Sequence, residues 1–285
     1  MDGPGIVAHT LSWPAVPDRY GNIWQYHPRS DRHSKVACWA VLFDCLLHSS
    51  LLRRHVTDAK VVFGVNHEMV DFKTRRKKNL DLVIARPASA EAATRPPRSL
   101  TDLATGFGIR LTAEQQRVLA GLPVAMEGPV GSVLVAVEAK ACMTEHGKAR
   151  PRLYDELNSS HLTIHGATDQ AIAVGFVMLN LATTFLSPDR NKHDLSATYP
   201  IVNLHIHQPE ATERVAEKVR ELLTRTRPGT EGYDALGIVV VDCANDGRPV
   251  TVVTDPPAPP STDPFNYDQM IRRIVHQYDT LFANI

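Results

Sequence analysis

The chain of 285 residues lacks the compositional biases that mark several specialised classes of protein. Its 31 basic residues are balanced by 31 acidic ones, so the formal net charge is zero and a generally basic, histone-like binder is excluded. Any nucleic acid must therefore contact a local basic patch. No run of apolar residues approaches the roughly 20 that a membrane-spanning helix needs, so we expect no membrane partner.

Cysteine is scarce, and no secretion signal is visible. Four cysteines are present, and none forms a Cys-x-x-Cys pair. This usage predicts reduced, buried thiols. The opening residues Met-Asp-Gly-Pro-Gly lack the basic and apolar regions of a secretory signal. Together these features predict a cytoplasmic protein.

Sequence motifs of several enzyme classes are also missing. The chain contains no Gly-x-Ser-x-Gly nucleophile elbow, no Gly-x-x-x-x-Gly-Lys-Ser/Thr phosphate loop and no zinc-ligand spacing. No Gly-x-Gly-x-x-Gly follows a predicted strand, which argues against a dinucleotide site. His205 and His207 share one face of a predicted strand and could bind a metal, but no third ligand is visible nearby and we interpret them as structural.

The most informative stretch is an apolar strand that ends in two opposite charges. Val133 to Val137 predicts a buried strand, and Glu138 and Lys140 follow it. Side chains two positions apart on a strand point the same way, so we expect these two on one face. Charges in an apolar setting are costly to bury unless something binds there, which makes the pair a candidate site.

A second acid begins another predicted strand. Asp81 follows a polar turn and precedes the apolar run Leu82-Val-Ile-Ala. An Asp on one strand and Glu-x-Lys on the next resembles the PD-(D/E)xK nuclease superfamily, over roughly residues 34–180. The matching segments are Asn79-Leu-Asp-Leu-Val-Ile and Val135-Ala-Val-Glu-Ala-Lys. Leu80 stands where the family has its proline, and the long gap between the two acids predicts an insertion.

The resemblance implies a role for each residue of the motif. Asp81 and Glu138 would hold a divalent metal together with the Ala139 carbonyl, and Lys140 would orient or activate the attacking water. The expected metal is Mg²⁺, with Mn²⁺ able to substitute. Glu68, one strand earlier, is a candidate for an additional acid. The chain offers Glu127 as an alternative to Asp81, because its separation from Glu138 is more usual for the family, but Asp81 has the better strand context.

Basic residues lie close to these acids. Residues 73–78, Lys-Thr-Arg-Arg-Lys-Lys, contain five cations in six positions at a predicted hairpin, and each could neutralise a phosphate. A solvated hairpin tip is the alternative. The predicted DNA contacts are Lys73, Arg75, Arg76, Lys77 and Lys78 and, after the central strand, Thr144, His146, Lys148 and Arg152.

The predicted fold is α/β, with a mixed central β-sheet flanked by helices on both faces, as in the restriction-endonuclease-like fold. We predict an irregular N-terminal arm over residues 1–33. A single nuclease domain of the PD-(D/E)xK type is predicted over residues 34–285, with an insertion at about 86–130.

These features predict a Mg²⁺-dependent endonuclease acting on double-stranded DNA. The particular expectation is a site-specific type II restriction enzyme that acts as a homodimer and has a cognate DNA methyltransferase in the same system. Two alternatives stay open. One is a phage-defence or repair nuclease of loose specificity, and the other is a non-catalytic nucleic-acid-binding module on the same fold.

Overall fold

The structure, a computed structural model, describes residues 1–89 and 96–285. The helices are α1 Gly3–Leu11, α2 Arg32–His48, α3 Ser50–Thr57, α4 Leu100–Phe107, α5 Ala113–Gly121, α6 His146–Ala167, α7 Glu210–Arg220 and α8 Tyr267–Leu281. The strands are β1 Val16–Pro17, β2 Ile23–Trp24, β3 Val62–Val70, β4 Lys77–Pro87, β5 Val130–Cys142, β6 Ile172–Asn180, β7 Thr184–Leu186, β8 Val202–Leu204, β9 Ala235–Asp242 and β10 Thr251–Val253.

One mixed sheet organises the chain. Its strand order is β10-β9-β6-β5-β4-β3. The strands β3, β4 and β5 pair antiparallel, β5, β6 and β9 pair parallel, and β10 returns antiparallel to β9. All nine residues of β6 are buried, as expected for a parallel strand covered on both faces. The predicted α/β class and the mixed sheet are confirmed.

Helices cover both faces of this sheet and enclose two apolar clusters. On one face α1, α2 and α8 pack against alternate residues of the strands, such as Val135 and Val137 of β5. On the other face α6 and α7 pack against the intervening residues, such as Ala136. The alternation along β5 therefore assigns Glu138 and Lys140 to the face that α6 covers.

The first helix belongs to the core, so the prediction of an irregular arm over residues 1–33 is wrong for this part. Ile6, Val7 and Leu11 of α1 are buried against α2. The carboxylate of Asp44 on α2 accepts hydrogen bonds from the backbone N–H groups of Asp2 (3.1 Å) and Gly3 (2.9 Å). The first N–H groups of a helix lack partners within it, so a buried carboxylate at this end is stabilised by them. Four apolar residues in nine were too short a pattern to predict this helix.

Ser34, as a capping residue before apolar residues at helical spacing, predicts one helix to about Arg54, but the structure divides this segment into α2 and α3. The backbone of Ser49 is extended, and its side chain caps α3 by accepting a hydrogen bond from the N–H of Leu52 at 2.9 Å. Within the described residues, no helix alone has both the length and the apolar character needed to cross a membrane. The bent pair α2 and α3, with 99° between its helices, satisfies those two requirements only when taken together.

The predicted insertion at 86–130 contains more regular structure than expected. Thr112, as a capping residue before Ala113, predicts a short helix, and the structure confirms it as α5, with a capping box to Gln115. The helix α4 was not predicted, although Ser99 and Asp102 form a second capping box before it. The Ala, Pro and Arg content of residues 86–97 predicts a loop, which falls partly on 90–95, outside the described residues.

Two other helix boundaries differ from prediction. The spacing of Arg152, Leu153, Glu156 and Leu157 predicts a helix that starts after Pro151, but α6 begins at His146 and includes Pro151. Asp263 followed by Pro264 predicts the start of the last helix, but α8 begins after Asn266, whose side chain accepts a hydrogen bond from the N–H of Asp268 at 3.0 Å. A side chain that can cap is only a local signal, and tertiary packing decides which candidate is used.

We predict that Asp44→Ala destabilises the fold by about 2–4 kcal/mol. The substitution leaves the N–H groups at the start of α1 and the hydroxyl of Tyr267, which donates to Asp44 at 2.9 Å, without their acceptor, and each buried orphan costs about 1–3 kcal/mol. Urea unfolding measures the loss. Asp268→Ala is the control, since its half-exposed ion pair with the terminal amine contributes at most about 1 kcal/mol. Equal losses in both variants would contradict this account.

Candidate active site

Glu138 and Lys140 lie together at the end of β5, as predicted. The Nζ of Lys140 is 2.9 Å from Oε1 of Glu138. The Glu138 side chain is only 1 % exposed, and its other oxygen, Oε2, has no hydrogen-bond partner within the described residues. A buried carboxylate oxygen without a partner is costly, so this atom is the first indication of a binding function.

Asp81 lies beside this pair because two strands separate at its position. The ladder between β4 and β5 ends at the pair Leu82 and Val137, and Asp81 is the next residue on β4. The backbone N–H of Ala139 donates instead to Oδ2 of Asp81 at 2.8 Å. On its other side Asp81 borders Cys38 of α2. The structure therefore brings Asp81 next to the Glu-x-Lys segment.

The environment of Asp81 disfavours its charge. Burial and the negative charge of Glu138 raise its pKa to about 6, although the Ala139 N–H and the positive charge of Lys140 act in the opposite direction. A carboxylate whose pKa is raised by burial and by a neighbouring carboxylate belongs to the kind of site that a cation stabilises.

Two further charges complete the cluster, and the sequence had not assigned one of them. Glu156 of α6 approaches Lys140 with 3.4 Å between Oε2 and Nζ. Lys78 of β4 points inward, with its Nζ 3.7 Å from Oε1 of Glu138 and 2.6 Å from the Glu156 carbonyl oxygen. Lys78 was predicted to bind DNA, but its contacts here are with the cluster. The only local signal for Glu156 was its spacing of four residues from Arg152, with which it pairs.

The two lysines differ in proton affinity. Burial would lower the pKa of Lys140, but the charge of Glu138 and the hydrogen bond to it raise that pKa above its ordinary value. Burial lowers the pKa of Lys78, while Glu138 opposes the shift. Lys140 is therefore a cation at neutral pH, able to donate hydrogen bonds but not to accept a proton.

The other two acids considered from the sequence lie elsewhere. Glu68 is half-exposed and pairs with Lys77 at 2.9 Å. Glu127 pairs with Arg98 through both carboxylate oxygens, at 2.7 and 3.0 Å, and bridges to the beginning of β3. Within the described residues neither acid forms a hydrogen bond or ion pair with the cluster. The structure favours Asp81 over Glu127 as the acid that accompanies Glu138.

The basic hairpin forms as predicted between β3 and β4. Its tip is held by Asp71, whose carboxylate accepts hydrogen bonds from the N–H groups of Lys73 and Thr74 and from the Thr74 hydroxyl. The N–H of Phe72 donates to the Gly166 carbonyl oxygen of α6 at 3.2 Å. The outward-facing cations of the tip and its edge are Lys73, Arg75, Arg76 and Lys77.

The residues predicted to contact DNA after β5 are divided between surface and interior. Lys148 and Arg152 are exposed and paired with Glu145 and Glu156. Thr144 is half-buried and forms a hydrogen bond with Nε2 of His205 at 2.9 Å.

The prediction of a phosphate contact is wrong for His146. Its side chain is buried, and its Nε2 contacts the Asn180 carbonyl oxygen at 2.8 Å. Its position directly after a strand end did not determine whether it faced solvent.

The predicted pair of imidazoles on one strand face is also wrong. The strand β8 ends at Leu204, and His205 and His207 follow it in a turn. His205 contacts the Ala182 carbonyl oxygen through Nδ1 at 2.7 Å. This contact agrees with the structural role that we assigned to His205.

The oxygen ligands present suit a hard cation such as Mg²⁺ or Mn²⁺. No group of three or more His, Cys, Asp or Glu side chains that could hold a metal occurs among the described residues. Mg²⁺ is commonly held by one or two carboxylates and keeps several waters, and Asp81 with the free oxygen of Glu138 supplies such a set. The contact shown for Ala139 is through its N–H, so its carbonyl stays a predicted ligand.

The chain was compared with models of protein families, with curated proteins and with solved structures. None of the three comparisons found a match. The proposed function therefore depends on the geometry of the site and on the sequence motif.

The stability of the protein is expected to fall between pH 4 and pH 6 through Asp81. Its pKa of about 6 exceeds the ordinary value of 3.8, so the folded state binds more protons than the unfolded state in that window. The stabilisation is present below the ordinary pKa and is lost as pH rises through the folded-state pKa, by at most about 3 kcal/mol. Urea unfolding from pH 4 to 7 without metal should show this decline, and Asp81→Asn should reduce it. Parallel curves for the two proteins would count against the shift.

Proposed function

We propose that the protein is a Mg²⁺-dependent nuclease that hydrolyses phosphodiester bonds in double-stranded DNA at Asp81, Glu138 and Lys140. The observation that carries the proposal is the buried Oε2 of Glu138, which has no hydrogen-bond partner in the part of the chain that the structure describes and lies beside a second carboxylate and a lysine. The resemblance of these residues to the PD-(D/E)xK motif supports it.

Each residue of the cluster has a distinct task in this proposal. Asp81 and Glu138 would hold the ion, which supplies neutralisation of the phosphate charge and an activated water. Lys140 stays protonated and donates hydrogen bonds, so it orients the water or stabilises negative charge rather than acting as the base. Glu156 and Glu138 fix the position of the Lys140 ammonium between them.

Access to the cluster is from the side of α6. Glu138 is buried, whereas Lys140 and Glu156 are 27 % and 33 % exposed. A phosphate that approaches from this side meets Lys140 before it reaches Glu138. The protonated lysine therefore attracts the substrate as well as positioning the water.

The finer proposal is a site-specific type II restriction enzyme of the cytoplasm, acting as a homodimer beside a cognate methyltransferase. The predicted insertion, which carries α4 and α5, supports site specificity, since loops on a rigid scaffold commonly carry recognition. A defence or repair nuclease of loose specificity is the alternative within the same chemistry. A non-catalytic binding module is less favoured, because the chain keeps both carboxylates and the lysine together.

We expect the purified protein to cut unmodified phage or plasmid DNA only when Mg²⁺ is present. Glu138→Gln removes a charged ligand and should lower the rate at least about 100-fold. Glu127→Gln makes the same chemical change at an acid outside the cluster and should retain the rate. Discrete bands would indicate site specificity, and a smear would indicate loose specificity. Cleavage that survives in Glu138→Gln would remove this site from the reaction.

Metal binding has a readout that is independent of cleavage. The melting temperature should rise with Mg²⁺ in the natural protein and in Glu127→Gln but not in Glu138→Gln, because a ligand that binds only the folded state stabilises it. Stabilisation of about 2.7 kcal/mol is expected at a hundred times the Kd. An equal response in all three proteins would place the ion elsewhere.

The hairpin tip is expected to contact phosphates. Arg75→Ala with Arg76→Ala removes two exposed cations and should reduce the slope of log K against log salt for duplex DNA by about 2. Fluorescence anisotropy without divalent metal measures binding while no DNA is cut. Arg54→Ala with Arg272→Ala, two exposed cations of α3 and α8, is the matched control. If both pairs change the slope equally, the hairpin has no particular role.

A further inference from the structure

A groove that the sequence did not predict lies at the beginning of α6. It consists of two adjoining cavities of about 340 and 320 Å³, which share His146, Gly147, His207 and Ala211. Its walls come from four segments of the chain: the first turn of α6, the loop after β7 at Arg190, β8 with the turn after it, and the first turns of α7.

Polar contacts between these segments hold the groove in shape. The carbonyl oxygen of Asn180 contacts Nε2 of His146 at 2.8 Å and accepts hydrogen bonds from the Thr212 hydroxyl at 2.9 Å and the Gln208 amide at 3.0 Å. One carbonyl at the end of β6 therefore links α6 to the turn after β8 and to α7. The groove is formed before any ligand binds, which reduces the entropy lost on binding.

The charge of the groove is one-sided in a chain whose net charge is zero. Glu145 is the one acid among its lining residues, and it pairs with Lys148 at 2.7 Å. Arg190 contacts the neutral side chain of Asn203 at 3.1 Å. Within the described residues Arg150 and Arg214 form no ion pair. The cations that line the groove are Lys148, Arg150, Arg190 and Arg214.

The lining also has an apolar part. Leu204 and Ile206 of the groove are 68 % and 77 % exposed. Unpaired arginines beside exposed aliphatic side chains suit a sugar–phosphate backbone, which presents charge and apolar surface together. Arginine is the residue best suited to phosphate oxygens, because its planar group donates two parallel hydrogen bonds.

The groove lies at a defined distance from the candidate active site. Arg150 in the groove and Glu156 in the charge cluster are both on α6, six residues apart, which is about 9 Å at 1.5 Å per residue. Successive phosphates of one strand advance about 3.4 Å along the axis of duplex DNA. A duplex that lies along α6 would therefore extend about three base pairs from the cluster to Arg150.

We propose that this groove is a second contact surface for the substrate DNA, where Arg150 and Arg214 bind backbone phosphates, the one at Arg150 about three base pairs from the charge cluster. The proposal rests on the proposed nuclease function, and it assigns DNA binding to two arginines that the sequence had not placed at the DNA.

The test combines DNA binding with cleavage. Arg150→Ala with Arg214→Ala should lower the slope of log K against log salt by about 2 for a duplex of about 30 base pairs without divalent metal. Arg150→Lys with Arg214→Lys keeps the charge and should retain the slope. Arg54→Ala with Arg272→Ala is again the control. With Mg²⁺, the groove variant should show a raised KM and an unchanged kcat, because it removes uniform binding and not transition-state stabilisation.

The outcomes separate the groove from the nuclease activity. If the natural protein cuts DNA but the groove variant has an unchanged slope and KM, the proposed DNA binding at the groove is wrong and the proposed nuclease activity stands. If the slope falls but no form of the protein cuts DNA, DNA binding at the groove is supported and the proposed nuclease activity is contradicted. If the protein neither binds nor cuts DNA, both proposals are contradicted. Should the double alanine variant fail to unfold cooperatively, the single variants decide, each with a slope lower by about 1.

Discussion

The arrangement at the end of β5 depends on one buried carboxylate. Glu138 is almost fully enclosed, and removing its charge from water is expensive unless neighbouring groups compensate. Lys140 and Lys78 compensate at one oxygen, while the other oxygen has no hydrogen-bond partner among residues 1–89 and 96–285. A fold selected only for stability would satisfy or remove that atom. Its retention, next to an aspartate whose pKa is raised, is the kind of local cost that accompanies function.

The β-sheet brings the two carboxylates together because the hydrogen bonding between β4 and β5 ends before Asp81. Because β4 and β5 separate after Leu82 and Val137, the N–H of Ala139 is free to bind Asp81, and the aspartate lies next to the Glu-x-Lys segment. The parallel pairing of β5 with β6 requires a connection back along the sheet, and α6 is that connection. It covers the face on which Glu138 lies and adds Glu156 to the cluster. The antiparallel and parallel halves of the sheet therefore meet at the site, and each supplies a part of it.

The sequence predicted the features that depend on short-range patterns. The strands β4, β5 and β6 have apolar runs that local periodicity detects, and alternation was sufficient to place Glu138 and Lys140 on one face. The prediction of an irregular arm over residues 1–33 missed α1 because the group that stabilises the start of this helix, the Asp44 carboxylate, lies some 40 residues away in the chain. A local pattern does not detect a contact over that separation. The burial of His146 and the position of Glu156 depend on how α6 crosses the sheet. The groove depends on four segments that meet only in the folded chain.

Helix α6 also fixes the distances between three surfaces of the protein. It contacts the hairpin tip near Gly166, where the carbonyl accepts the Phe72 N–H and an added Cβ would collide with Asp71. It contributes Glu156 near its middle and Gly147 to the groove at its start. The three positions are spaced about 15 and 14 Å apart by the rise of the helix. A one-residue insertion would rotate everything beyond it by about 100°, so the distances between these surfaces can change only by about one helical turn at a time. The helix therefore holds the hairpin tip and the groove about 30 Å apart along its axis, with the charge cluster midway between them.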